Sequence, residues 1–515
     1  MSQRENLPRS DQALQPGDPE TKSTSLRKGT LGLIGIVFFV VAAAAPLAGM
    51  TGAFPVAMGI GVGAGAAGMY VAVGIILLLF SVGYATMSHY VTNAGAFFAY
   101  VGRGLGINWG VASAFASVAA YIAVMWAVLG FISGQMTFQM EAKLGLSLPW
   151  WVYAFIMLAI VFALSAASVD IGAKVLGVLL TVELLGLVVV ALAIIFQGGG
   201  PDGLDFGASF SPASILGEVV PGGVGIAFAF ALASFIGFEA TAIYGEESKD
   251  PKKTVPRATY TSVLLITVLF GVIGFGLVSG LGATDIQNKV FEVTAIDGVP
   301  LSDPSAILFG LSTEFVGSWL TEAFSWLILT SLFAALLAFQ NSAARYFFAM
   351  GRAGVLPKKL DRTNGAQAPI TATALVTVLG VIITVLGMIF AWDPILNIFY
   401  WFGGVAVIAI VLTEIMVSIA VIVYFARTKE DTRLWHTKIA PVLAIIGLSV
   451  GEYLLMAHFN LFSGTSSTEE ANAWELNTLG WILVLLPFAM FIIGLIVGVA
   501  RKGKENYAAV HNFAS

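Results

Sequence analysis

The 515-residue sequence contains no cysteine and little charge. The missing cysteine excludes disulfides, thiolate nucleophiles and cysteine metal ligands, and the four histidines are scattered along the chain. Asp, Glu, Lys and Arg make up 11% of the residues, whereas about 25% is usual for a soluble protein. Residues 31–102 hold none of the four. This composition is that of a protein whose main solvent is lipid.

The sequence also lacks the motifs of nucleic-acid-binding proteins, metalloenzymes and channels. No basic patch suited to nucleic acid and no HExxH metal motif occurs, so neither a nucleic-acid partner nor an enzyme is expected. No carbonyl filter sequence or ring of charge indicates a channel. No cofactor or metal is expected.

Apolar runs bounded by Gly, Pro and charge predict an all-α integral membrane protein with twelve spanning helices. The predicted spans lie near 30–62, 65–89, 108–137, 149–168, 171–197, 222–246, 258–281, 319–349, 370–391, 394–426, 437–459 and 479–500. They form one membrane domain over 27–503, with helices 1–5 in 30–197, helices 6–10 in 222–426 and helices 11–12 in 437–500. Residues 1–26 are predicted to be a disordered tail, and 504–515 a second tail.

Basic residues predict the orientation of these spans. Of the 25 Lys and Arg residues, only Lys143 and Lys289 fall on one predicted face. Because basic loops remain inside, both termini are expected in the cytoplasm, and a bacterial inner membrane is the expected location.

Two predicted spans are interrupted, the first at AAAAPLAGMTGAFP (42–55) and the sixth at SFIGFEATA (234–242). Gly and Pro kinks are common in membrane helices, and close packing is the simpler explanation for either one alone. Interruptions five helices apart are instead typical of an inverted-repeat transporter, with its solute site between them.

Three separate motifs carry a family resemblance: TNAGAFFAYVGRGLG (92–106), SFIGFEATAIYGEESKDPKKTVPRA (234–258) and NSAARYFFAMGRAGVLPKKL (341–360). Through them the chain resembles the amino acid, polyamine and organocation permeases. The resemblance implies a leucine-transporter-like fold of five helices plus five inverted helices. Helices 11 and 12 would be peripheral, and a central site would be reached by alternating access.

An amino acid zwitterion matches the N–H and C=O groups that two broken helices release. We expect Ala45, Pro46, Leu47, Ala48 and Gly49 to line the carboxylate side and Ser234, Phe235, Ile236 and Gly237 the amino side, with Ala233 and Phe238 adjacent. Replacing Gly49 or Gly237 by Leu is expected to abolish uptake while preserving folding.

Two departures from the family pattern bear on the substrate. The first interruption has one glycine where relatives have two, which leaves a simple amine open as substrate. Ala233 stands where relatives that handle basic amino acids often carry Trp. A neutral, apolar or aromatic side chain is therefore expected.

Glu183 lies near the centre of the fifth predicted helix, where a carboxylate costs about 2.5–3.5 kcal/mol on insertion scales. Several proton-coupled relatives place a Lys here. A protonated Glu183 is expected to donate to carbonyls of the first helix; a neutral packing role is the alternative. Glu239 is a second candidate for proton relay, or a cap for loose backbone donors. For sodium coupling, Thr330 and Ser331 offer adjacent hydroxyls.

The sequence thus predicts a secondary active transporter of an amino acid or related amine, driven by protons. Sodium symport, substrate exchange and a transporter-like nutrient sensor remain alternatives. The expected partners are the small-molecule substrate and the lipid bilayer. The exact substrate and the oligomeric state stay open.

Overall fold

The computed structural model describes residues 32–91, 97–167, 171–241 and 248–501, and these residues contain helices but no strand. The two predicted tails lie outside the described residues and stay predictions. Twelve helical segments correspond in order to the twelve predicted spans. They are α1 (Leu33–Gly61), α2 (Gly63–Ser88), α3 (Ile107–Leu144), α4 (Trp150–Ala167), α5 (Ile171–Phe196), α6 (Gly223–Ala233), α7 (Pro251–Leu281), α8 (Ser318–Arg352), α9 (Ile370–Ile389), α10 (Pro394–Thr428), α11 (Trp435–Ala457) and α12 (Thr478–Ala500).

Shorter helices connect the spans. One of them, Phe97–Leu105, lies within the 92–106 motif and is amphipathic: Phe97, Phe98 and Val101 are buried and Arg103 is exposed. Residues 92–96 of that motif lie outside the described residues. The others are Phe206–Phe210, Pro212–Ile215, Ile286–Thr294, Ala306–Phe315, Asn460–Ser463 and the 3-10 turns Phe238–Thr241 and Lys358–Asp361.

Among the described residues, eleven helices are long and apolar enough to cross a membrane. The sixth span is the exception, because its helix α6 has 11 residues and ends at Ala233. The sequence predicted this span over 222–246. Residues 242–247 lie outside the described part of the chain. The all-α membrane architecture is confirmed.

Small residues let the spans approach closely. A Cβ atom on Gly74 of α2 would lie 2.2 Å from the Thr267 hydroxyl of α7, and one on Gly494 of α12 would lie 2.8 Å from Ala112 of α3. Neither contact leaves room for a larger side chain. Because lipid provides no hydrophobic force between helices, such close packing supplies much of the attraction that holds the bundle together.

The break in α1 falls at Ala45, which has a left-handed backbone with φ of +42°. Its neighbour Pro46 explains the position, because a proline disfavours the α conformation of the preceding residue and has no N–H to continue the helix. Beyond the break the helix resumes at Pro46–Ala48 and contains two π-helical turns, Gly49–Ala53 and Ala57–Gly61.

The break in α6 runs from Ser234 to Gly237, where φ is +115°. A Cβ atom on Gly237 would lie 2.7 Å from the Cβ of Ala43 in α1. The two breaks therefore touch each other, and Gly237 is required both by its backbone and by this contact. A side chain there is expected to impair folding, which differs from the expectation for Gly237→Leu.

The two ends of the bundle differ in charge. At one end Arg427 donates to the Gly104 carbonyl and Tyr90 to that of Glu430, beside Arg103, Lys358 and Lys359. At the opposite end both predicted exceptions are ion-paired, Lys143 with Glu322 and Lys289 with Asp202. A hydrogen bond from the Thr284 N–H lowers the pKa of Asp202. The first end is called the basic end below.

We predict that Gly237→Ala lowers the thermal stability of the purified protein. A residue forced into this backbone region costs about 1–3 kcal/mol, and the contact with Ala43 adds to it. Thermal unfolding followed by tryptophan fluorescence in detergent measures the change. The control is Gly310→Ala, since a Cβ atom on Gly310 meets nothing within 4 Å. An unfolding temperature equal to wild type for Gly237→Ala would contradict the prediction.

Candidate functional site

A cavity of about 70 Å³ lies between the two helix breaks. Its lining comes from α1, α3, α6, α8 and α10 and comprises nine alanines, four phenylalanines and seven other residues. Ser234 is the one polar side chain in this lining, and no charged side chain belongs to it. A water molecule needs roughly 10–15 Å³ of such volume, so the cavity has room for a small ligand. Any charged group of a ligand must therefore be met by backbone dipoles and by Ser234.

Six of the eleven predicted binding residues line this cavity: Ala45, Ala48, Gly49, Ala233, Ser234 and Ile236. The other five do not. Phe235 packs against Phe270 of α7 with ring centroids 5.4 Å apart, and Phe238 packs against Phe80 of α2 at 5.9 Å. Pro46, Leu47 and Gly237 are packed within the breaks behind the cavity wall.

Sequence reasoning did not identify the aromatic residues from other helices. Phe131 of α3 and Phe399 of α10 stack at 4.6 Å with an interplanar angle of 15°, and both line the cavity. Gly52 of α1 lies directly beneath them, where a Cβ atom would be 2.6 Å from the Phe131 ring. With 37 phenylalanines in the chain, no spacing signal distinguishes these two. We call this pair the aromatic lid.

Glu183 of α5 binds the break in α1 directly. Its Oε1 accepts a hydrogen bond from the Leu47 N–H at 2.8 Å and a second from the Ser331 hydroxyl of α8 at 3.0 Å. Its side chain is 1% exposed. One carboxyl thus joins three helices at the start of the second part of α1.

The direction of this contact differs from the expectation that Glu183 donates to freed carbonyls. Its Oε1 instead accepts from a freed N–H, because the half-helix that begins at Pro46 presents donors rather than acceptors on this side. The expected neighbouring hydroxyls also separate. Ser331 donates to Glu183, whereas Thr330 donates to the Leu327 carbonyl of its own helix at 2.9 Å.

The remaining donors of this turn are few. Pro46 has none, the Leu47 N–H is bound to Glu183, and the Gly49 N–H donates to the Ala45 carbonyl at 3.0 Å. Ala48 lies between them on the cavity wall.

Tyr70 of α2 holds Ser234 in place. The Tyr70 hydroxyl lies 3.1 Å from the Ser234 hydroxyl, within hydrogen-bond distance. The Ser234 hydroxyl donates to the Phe230 carbonyl at 2.9 Å. The tyrosine ring is itself fixed edge-on against Phe54 and Phe270. The polar side chain of the cavity is therefore supported from behind by a residue that the sequence did not point to.

Glu239 lies beyond the break in α6 and outside the cavity lining. Its Oε2 accepts from the Gly237 N–H and its Oε1 from the Tyr121 hydroxyl, both at 2.8 Å. Its carbonyl accepts from Tyr84 at 2.7 Å. Glu239 therefore caps a backbone donor of the break, as one of the two expectations had it.

Comparison with known proteins identifies the family to which this chain belongs. Residues 35–511 match the family model described as amino acid permease. An uncharacterized transporter of Legionella pneumophila is 26% identical over 67% of this chain and 69% of its own length. A branched-chain amino acid permease of Lactococcus lactis is 28% identical over 29% of each chain. A glutamate/gamma-aminobutyrate antiporter of the same species is 25% identical over 64% of this chain and 62% of its own.

The match covers all twelve helical segments apart from the first two residues of α1. The family is one of transporters rather than enzymes, and the apolar helices agree with a multi-pass membrane protein. An amino acid is the substrate class that the family implies. The chain belongs to the amino acid permease family.

Proposed function

We propose that this permease takes up a neutral amino acid together with a proton. The observation that carries the proposal is the carboxyl of Glu183 on the Leu47 N–H, one residue from the cavity wall at Ala48. The proposal also assigns the basic end to the cytoplasm of a bacterial cell, since basic loops remain inside.

The cavity supports a small zwitterion with an apolar side chain. The first part of α1 ends at Ala44, so its last carbonyls form the negative end of a helix dipole and suit an ammonium group. Ala48, in the first turn of the second part, suits a carboxylate. Alanines and the aromatic lid surround the remaining space, and a charged side chain would find no partner among the lining side chains.

Glu183 sets the sign of coupling. An ionised Glu183 and a substrate carboxylate would both lie at the same helix N-terminus, and like charges at short distance repel strongly where water is excluded. Protonation of Glu183 removes this repulsion. Proton and zwitterion then bind together, which is symport.

With a simple amine as substrate, the proton would have the opposite effect on binding. A substrate without a carboxylate is attracted by an ionised Glu183, so a proton would compete with it and exchange would be favoured. Sodium symport finds less support, since Ser331 is bound to Glu183 and Thr330 to its own helix. A sensor would bind the same ligands without moving them.

We predict that Glu183→Gln abolishes proton-driven accumulation. In proteoliposomes, an inward gradient of about one pH unit supports about tenfold accumulation per proton, and labelled L-alanine, L-valine and L-leucine are the probes. Gln keeps an acceptor for Leu47 but carries no titratable proton, so counterflow should persist while the tenfold accumulation disappears.

Thr330→Val is the matched control, because among the described residues the Thr330 hydroxyl donates to the Leu327 carbonyl of its own helix. It should accumulate substrate like wild type. Accumulation by Glu183→Gln, or accumulation that follows an imposed sodium gradient instead, would refute proton coupling through Glu183. Binding without uptake by the wild-type protein would identify a sensor.

We predict that the aromatic lid limits the size of the substrate. Phe399→Leu removes a ring from the cavity wall and should favour L-phenylalanine over L-alanine in uptake by about tenfold relative to wild type, the scale typical of apolar pockets. Phe402→Leu is the control, since Phe402 is also in α10 and packs on Trp126 of α3 at 4.9 Å, outside the cavity. Equal preference in the two variants would contradict a role of the lid.

A further inference from the structure

A third buried carboxyl lies in α10 and has no part in the site described so far. Glu414 is eight residues beyond Ala406 of the cavity wall, about 12 Å further along the helix at 1.5 Å per residue, towards the basic end. Its side chain is 1% exposed, and its Oε2 has no hydrogen-bond partner among the described residues.

Two other carboxyls act on Glu414. Glu239, after the α6 break, and Glu452 of α11 each oppose its ionisation electrostatically. Glu452 is 8% exposed, and its Oε1 also has no partner there. An ionised Glu414 would be buried, unpaired and repelled by its neighbours, which costs several kcal/mol.

The elements packed against α10 carry several other titratable groups. The titratable side chains on these elements are Tyr70 and Tyr84 on α2, Tyr100 and Arg103 on the helix Phe97–Leu105, Tyr121, Glu141 and Lys143 on α3, and His436, Lys438, Glu452 and Tyr453 on α11; Glu239 follows α6, and α12 carries none. Two of the tyrosines, Tyr84 and Tyr121, already donate to Glu239.

Glu239 and Glu414 have unequal surroundings. Both oxygens of Glu239 accept from fixed donors, the Gly237 N–H and the Tyr121 hydroxyl, so this carboxyl tolerates a negative charge. Glu414 offers a buried oxygen with no donor to it. When two nearby carboxyls differ in this way, the proton resides on the one without donors.

We propose that Glu414 is a second proton-binding residue of this permease, protonated in the present conformation beside Glu239. Release breaks the O–H bond of Glu414, transfers the proton to water that enters from the basic end, and leaves a carboxylate. The proton is thus bound on α10, separately from Glu183 of α5. The site does not depend on Glu183 being the coupling residue.

Infrared spectroscopy of the purified protein tests this without substrate or transport. The carboxylic acid C=O band is recorded from about pH 6.5 to about pH 10, a range in which exposed Asp and Glu are almost fully ionised. We expect a component that decreases as pH rises, is lost in Glu414→Gln and shifts in frequency in Glu414→Asp. Ser418→Ala is the matched control, because Ser418 is one turn further along α10 and only donates to the Glu414 carbonyl.

Three results would overturn the proposal. One is a wild-type band that persists in Glu414→Gln. Another is a band that is lost in Glu414→Gln but does not change with pH in wild type, as for a permanently neutral packing residue. The third is a titrating component that disappears only in Glu183→Gln. Because no uptake is measured, loss of proton coupling in the transport assay would leave this result unaffected.

Discussion

The structure depends on one constraint: a backbone group freed inside an apolar bundle needs a partner. Both breaks meet this constraint in the same way, with a carboxylate on the freed N–H. In α1 the donor is Leu47 and the acceptor Glu183, which comes from α5. In α6 the donor is Gly237 and the acceptor Glu239, two residues along the chain. An unsatisfied N–H in a hydrocarbon environment costs several kcal/mol, so neither break would be stable without its carboxyl.

The difference between the two carboxyls matters for function. Glu239 is held by three elements close to its own break, through Gly237, Tyr121 and Tyr84, and is suited to a steady role. Glu183 is joined to α1 and α8 by single hydrogen bonds to one oxygen. A change in its protonation alters the contact between three helices at once. That makes Glu183 the better candidate for a coupling residue, and it explains why the cavity itself needs no charged side chain.

In the proposed site, recognition of the amino and carboxyl groups of a substrate rests mainly on the backbone. The alanine lining sets the size of the cavity, and the helix ends at Ala44 and Pro46 supply opposite dipoles. Members of a family can therefore keep the zwitterion site and change the side-chain pocket around it. The relatives are named for different substrates, branched-chain amino acids in one case and glutamate and gamma-aminobutyrate in another.

The sequence by itself determined the twelve segments, the two interruptions and the family. Long apolar runs can be identified as spans without knowing what they pack against. Pro46 and Gly237 disrupt a helix through local sterics alone. Tertiary structure decided which groups meet. It directed Glu183 to an N–H rather than a carbonyl, turned Thr330 away from Ser331, placed Phe235 and Phe238 behind the wall, and brought Phe131 together with Phe399. The reason is that each of these contacts depends on how helices distant in sequence rotate and pack, and no single helix encodes its own rotation.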